Sequence, residues 1–108
     1  MINGDLVAAR VRFFKTLGDR TRVEIMELLS NCQEMSVSEI SKTLAKEHNV
    51  ISHHLGCLKN AGIVKAKRHG RSVIYSMMNS DTVKLFRFAD KHIVTVLDNI
   101  LSCKYVRD

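Results

Sequence analysis

A mainly α-helical domain carrying one small β-hairpin is what this sequence predicts, on three observations. Apolar residues recur at helical spacing over most of the chain. One stretch, from Ile63 to Met77, switches to β-branched alternation around a glycine. The helical segments are separated by short polar turns and not by long linkers. With 108 residues and no proline, the chain reads as one domain, residues 1–108, built around one core.

Each element has its own signal. Leu6, Val7, Val11, Phe13, Phe14 and Leu17 mark a first helix, and Gly18 supplies its stop. Asp19 is placed to cap a second helix, whose apolar positions Val23, Ile25, Met26, Leu28 and Leu29 run to the turn signal Ser30-Asn31 and leave Cys32 in a loop. Ser36-Val37-Ser38-Glu39 has the form of a capping box and opens a short third helix through Ile40 and Leu44. Lys46 to Asn49 is a polar turn, after which Ile51, Leu55 and Leu58 line one face of a fourth helix, Asn49 to Asn60, closed by Ala61-Gly62. Ile63 to Arg68 and Arg71 to Met77 form a two-stranded hairpin around His69-Gly70. After Asn79-Ser80-Asp81, the segment Leu85 to Leu101 reads as one long helix with the apolar stripe Phe86, Ala89, Ile93, Val96 and Ile100.

Composition narrows the function classes. A hydrophobic content of 45% is too high for a disordered tail, and no run of apolar residues is long enough to span a membrane. Met1 to Arg10 lacks the apolar stretch of a secretory signal, so the cytoplasm is the expected compartment. Cys32, Cys57 and Cys103 are far apart and form no disulfide framework. No nucleophile with its base, nucleotide-binding glycine loop or closed metal site is evident, so the chain does not read as an enzyme. Seventeen Lys and Arg against eleven Asp and Glu give a formal charge of +6, which suits a polyanionic partner.

The placement of those charges makes the reading sharper. Two short helices flanking a tight turn form a helix-turn-helix, whose second helix enters the major groove. Here that helix offers Asn49, Ser52, His53 and Lys59 on the face away from its apolar residues. The basic hairpin follows directly and makes a wing suited to phosphate, with Lys67, Arg68 and Arg71 as its contacts. The first and last helices carry more apolar surface than one small core needs. A homodimer through those two helices follows, held by Phe86, Ala89, Ile93, Val96 and Ile100.

Particular residue strings carry a resemblance over almost the whole length. They are Leu17-Gly18-Asp19-Arg20-Thr21-Arg22 with Ile25 and Leu28-Leu29, Ser36-Val37-Ser38-Glu39-Ile40, and Ser52-His53-His54-Leu55 with Leu58-Lys59 and Ala61-Gly62-Ile63-Val64. The wing adds Arg68, Gly70, Arg71 and Tyr75. In these the chain resembles the ArsR/SmtB family of small metal- and stress-responsive repressors. The resemblance implies a winged helix-turn-helix dimer that sits on double-stranded operator DNA, represses transcription, and lets go when an inducer binds.

The family's inducer sites match this chain only in pieces. Its Cys-Val-Cys site on the third helix reads Ser36-Val37-Ser38 here, so that thiolate site is absent. Its zinc-type site on the last helix is matched by Asp90 and His92, but the later pair is Cys103 and Val106. A cadmium/lead arrangement takes two cysteines from the recognition helix and one near the C-terminus; Cys57 and Cys103 match, whereas Ala61 stands at the second position. A thiophilic ion such as zinc, cadmium or lead is the implied cofactor, bound by Cys57, Asp90, His92 or Cys103. On a continuous helix, His92 and Cys103 would lie about 16 Å apart, so any ion they share needs the partner subunit. Cys57 and Cys103 read equally as packing residues. A thiol redox or persulfide response, or no metal inducer at all, stays open as the alternative.

Overall fold

The computed structural model describes residues 3–108, and the reading of the N-terminus as no leader falls partly on residues 1–2, outside that range. Helix α1 spans Asn3–Leu17 and ends where the Gly18 amide donates to the Phe14 carbonyl at 2.9 Å. The close approach of that carbonyl, 3.3 Å from where a Cβ would stand, explains a glycine here. Helix α2, Arg20–Cys32, is capped as expected: the Asp19 side chain accepts from the Arg22 backbone amide at 3.1 Å. It continues through the Ser30-Asn31 signal because its inner residues Ile25, Met26 and Leu29 are buried, so Cys32 lies in the last helical turn and not in a loop. Gln33, with φ 62°, then reverses the chain.

Helix α3, Val37–Leu44, begins on the capping box. The Ser36 hydroxyl accepts from the Glu39 amide at 3.1 Å, and the Glu39 carboxylate accepts from the Ser36 amide at 2.8 Å. Those Ser36 hydrogen bonds, the backbone one first, hold the Glu39 carboxyl below its ordinary range. Ala45 in the left-handed region turns the chain into α4, His48–Asn60, one residue longer than the spacing predicts. Gly62, at φ 75°, leads out of α4.

The hairpin is part of a three-stranded antiparallel sheet. Strands β1 (Glu34–Ser36), β2 (Val64–His69) and β3 (Ser72–Met77) lie in the order β1-β3-β2. The register pairs Met35 with Tyr75, and Val64 with Met77 through to His69 with Ser72. The loop is therefore Gly70-Arg71, one residue on from the predicted turn. Its positive φ at Gly70 is the type II′ pattern. Strand β1 corrects the two-stranded expectation. It is too short to show alternation, and only its pairing with β3 defines it.

The predicted long last helix is also corrected. Helix α5 spans Ser80–Thr95, capped by the Asn79 side chain on the Thr82 amide at 3.0 Å, and a separate short α6 covers Leu97–Leu101. The break falls at Val96, whose φ of −127° is not helical. It follows the β-branched run Ile93-Val94-Thr95-Val96, in which side-chain freedom is lost against the preceding turn. The Thr95 hydroxyl adds to this by donating to the His92 carbonyl at 2.7 Å.

The core joins α2, α3, α4 and the sheet. Ile25, Leu29, Ile40, Ile51, Leu55, Leu58 and Val64 are its fully buried side chains, with Met26, Met35, Ile63 and Met77 around them. Among the described residues no helix is long and apolar enough to cross a membrane.

Candidate nucleic-acid interface

Helix α4 is fixed from behind. Ile51, Leu55 and Leu58 are all 0% exposed, so the opposite face must point outward. That face carries Asn49, Ser52, His53 and Lys59, all exposed, together with Gly56, where a Cβ would meet nothing within 4 Å. Helices α3 and α4 pack on each other across a turn closed by the Lys46 amide on the Ser41 carbonyl at 3.1 Å and by the Ser41 hydroxyl on the Lys46 carbonyl. This is the helix-turn-helix arrangement.

Helix α4 also packs against β2, so the wing is carried on the same core. Lys65, Lys67, Arg68, His69 and Arg71 are all exposed along the hairpin and its loop. One signal went unread in the sequence. From His48 to Ser80 there is no aspartate or glutamate, and Lys59, Lys65, Lys67, Arg68 and Arg71 lie within that stretch. All the acids of the chain lie outside it, so positive potential concentrates where the outward face of α4 and the wing are.

His54, given no task by the sequence reading, is the inward-turned member of the histidine pair. Its side chain is 15% exposed, and Arg22 Nε donates to its Nδ1 at 3.1 Å. Arg22 Nη1 also donates to the Thr16 carbonyl at 3.2 Å, and Asp19 Oδ1 stands 3.8 Å from His54 Nδ1. Burial is the main cause holding the imidazole below its ordinary range; Asp19 opposes the shift, while Arg22, His53 and Lys46 add to it. No local signal in the sequence announces this group, because Arg22 and His54 are 32 residues apart.

A second surface is apolar. Phe14 of α1 is 62% exposed and Phe88 of α5 is 73% exposed, and Val7, Val11 and Leu85 are also open. Between α1, α2 and α5 lies a cavity of about 340 Å³ lined by Phe14, Leu17, Val23, Met26, Phe86 and Ile93. Of the predicted dimer residues, Ala89, Ile93 and Ile100 are exposed, Val96 is half-buried at the break, and Phe86 is half-buried against the core. Phe14, Leu85 and Phe88 lie exposed on the same apolar face, outside the predicted set of contact residues.

The four predicted metal ligands are not gathered. Asp90 is paired with Arg87, whose Nη1 donates to Asp90 Oδ2 at 3.0 Å and to Glu27 Oε2 at 2.9 Å, while Nη2 donates to Asn31 Oδ1 at 3.2 Å. Hydrogen bonds to Glu27 and then to Asp90 raise the guanidinium's affinity for its proton. His92 is exposed on α5, Cys103 follows α6 and is not helical, and Cys57 stands on the side of α4 with Sγ 3.9 Å from His53 Nε2. Cys32, Cys57 and Cys103 are all free thiols. Among the described residues no three His, Cys, Asp or Glu side chains come together as a metal site.

Comparison with known proteins gives the same fold and a family. Residues 19–66, from the cap of α2 into β2, match the bacterial regulatory protein family arsR. The chain is 37% identical over 95 residues to the HTH-type transcriptional regulator Rv0081 of Mycobacterium tuberculosis, covering 87% of this chain and 82% of that protein. The crystal structure of Rv0081 superposes with a TM-score of 0.82 over 90% of this chain and 97% of the other. A cadmium resistance transcriptional regulatory protein CadC homolog of Staphylococcus aureus is 36% identical over 81 residues, covering 75% of this chain and 67% of its own length. The homodimeric winged helix-turn-helix DNA-binding domain Mb0332 of Mycobacterium bovis, 26% identical, superposes with a TM-score of 0.75 over 97% of this chain and 93% of that one.

Proposed function

The chain belongs to the arsR family of bacterial regulatory proteins, with the winged helix-turn-helix fold of a DNA-binding transcriptional regulator, and from that premise we propose that it is a sequence-specific repressor acting as a homodimer on operator DNA. One observation carries the reading: a helix buried completely on one face presents Asn49, Ser52, His53 and Lys59 outward, beside a wing in an acid-free stretch. Amide, hydroxyl and imidazole groups of that length reach base edges in a major groove, and the Lys67, Arg68 and Arg71 side chains reach phosphate. Two copies joined through α1 and α5 would present two such helices to successive half-sites. Cytoplasmic residence of one domain, residues 1–108, goes with this reading.

The test uses a duplex selected by the full chain from a random-sequence pool, compared with unselected duplex. Arg71→Ala is expected to weaken both about equally and to lower the slope of log affinity against log salt by about 1. Ser52→Ala is expected to lose about 1–3 kcal/mol on the selected duplex alone. Equal losses on both duplexes for Ser52→Ala would move it to the backbone, and a salt-independent affinity for the unmodified chain would end the DNA reading.

The inducer is the finer part of the proposal. The similarity to a cadmium resistance regulator supports a thiophilic ion as the releasing signal. Within one chain the residues do not fit: Asp90 is committed to Arg87, and His92, Cys57 and Cys103 stand on separate elements. The reading is therefore confined to ligands drawn from both copies, with Cys103 as the common member. Zinc, cadmium or lead is expected to lower affinity for the selected duplex in the unmodified chain and to do so less in Cys103→Ser. No change with any of the three ions removes the metal inducer, and release by polysulfide or peroxide instead puts the thiol response in its place.

A further inference from the structure

The wing and the outward face of α4 supply the proposed DNA contacts, and the shared apolar core packs α4 against α2; at the corner between α1 and α2 a second contact adds to that hold. The contact there is polar. Arg22 bridges three elements: its Nε donates to His54 of α4, its Nη1 donates to the Thr16 carbonyl of α1, and its own backbone amide is held by Asp19 at the start of α2. A guanidinium is always protonated and can only donate, so Nδ1 of His54 must be the acceptor and the ring must be neutral with its proton on Nε2. We propose that His54 is a positioning residue for DNA recognition, whose neutral ring, accepting from Arg22, locks the recognition helix to the corner between α1 and α2.

The consequence for α4 is direct. His53 is the next residue, exposed on the groove side, with its ring 5.5 Å from that of His54 and inclined at 66°. Whatever fixes His54 fixes the base of the outward face. The groups facing His54 from every side are Asp19 and Arg22 from the start of α2, Lys46 from the turn before α4, and His53 from α4 itself. When the ring takes up a second proton, Nδ1 can no longer accept. The Arg22 hydrogen bond is lost, two cations face each other across it, and the new N–H is drawn to Asp19, 3.8 Å away, which caps α2. Because burial holds the imidazole below its ordinary value, the unfolded chain takes up that proton first. The contribution of this contact is thus complete above about pH 6.5 and is lost as the pH falls below it.

Protonating His54 weakens DNA binding, because it removes the acceptor through which Arg22 holds α4. The inference rests on α4 being the groove helix. Its test compares the unmodified full chain, His54→Asn and His54→Leu on the selected duplex, from about pH 8 to about pH 5.5, around the ordinary imidazole value of about 6.5. Asparagine keeps a side-chain acceptor near the Nδ1 position and does not titrate. At high pH, His54→Asn is expected to bind as the unmodified chain does. Towards low pH its affinity relative to the unmodified chain should rise several-fold, and His54→Leu should bind weakly throughout. A long-range proton–nitrogen spectrum of the unmodified chain should show His54 with a bare Nδ1 and a proton on Nε2. Parallel pH curves for the unmodified chain and His54→Asn, or a proton on Nδ1 at high pH, overturn the role of His54 alone. Failure of the unmodified chain to select any duplex overturns the DNA reading on which it rests.

Discussion

Ile93→Glu is expected to turn the dimer into monomers and to lower affinity for the selected duplex by at least an order of magnitude. Ile93 is 37% exposed in the single chain and lines the apolar cavity between α1, α2 and α5 with Phe14 and Phe86. Around it the described chain leaves Phe14, Leu85 and Phe88 open to water, more apolar surface than scattered exposure explains. A second copy laid against this face removes that surface from water at roughly 25 cal/mol per Å². A carboxylate at position 93 must be desolvated there without a partner, at a cost of several kcal/mol, and two-fold symmetry places it in the interface twice. The monomer keeps its recognition helix and wing but reaches one half-site only, so the loss falls on the selected duplex more than on the unselected one. Sedimentation measures the first effect and duplex binding the second. A dimer that survives Ile93→Glu, or an unmodified chain that sediments as a monomer, would remove the α1–α5 face from the proposal.

Helices α1 to α4 and the wing were legible because their signals are local. Asp19 and Ser36 cap where the sequence places them, and Gly70 has the positive φ its turn requires. Strand β1 was not legible: three residues make no period, and its partner strand begins 36 residues after its own last residue. The end of the chain misled for a different reason. An apolar stripe spaced by three and four continues through Val96 to Ile100, whereas the β-branched run across residues 93–96 argues for a break, and the break prevails. That break removes the helical frame in which His92 and Cys103 were paired. The four predicted contacts on α4 are exposed, since polar residues opposite a buried stripe have one place to go, and the three on the wing are exposed along the hairpin and its loop. His54 stayed hidden because its partners Asp19 and Arg22 come from the other end of the core, and adjacency to His53 says nothing of which ring turns inward. Asp90 was legible as a carboxylate but not as the partner of Arg87, whose other contacts, Glu27 and Asn31, lie on α2.

Leu55→Ala is expected to cost the folded state about 2–5 kcal/mol, a large part of the roughly 5–15 kcal/mol that a domain of this size has. Leu55 is fully buried in the middle of α4, and the core it belongs to is shared with Ile25 of α2 and Ile40 of α3. Truncation removes methyl groups from water-excluded contact and leaves a hole that three separate elements would all have to shift to close. Urea unfolding should show a lower midpoint with an unchanged slope, because the surface exposed on unfolding is nearly the same. The groove side of the helix keeps every side chain, so the variant that is folded still binds the selected duplex. Saturating duplex should therefore recover about 2.7 kcal/mol at a hundredfold excess over the dissociation constant. A loss of less than about 1 kcal/mol would mean that α4 is not anchored through this face. A full loss of stability that the duplex does nothing to recover would mean that the folded variant no longer presents α4 to DNA.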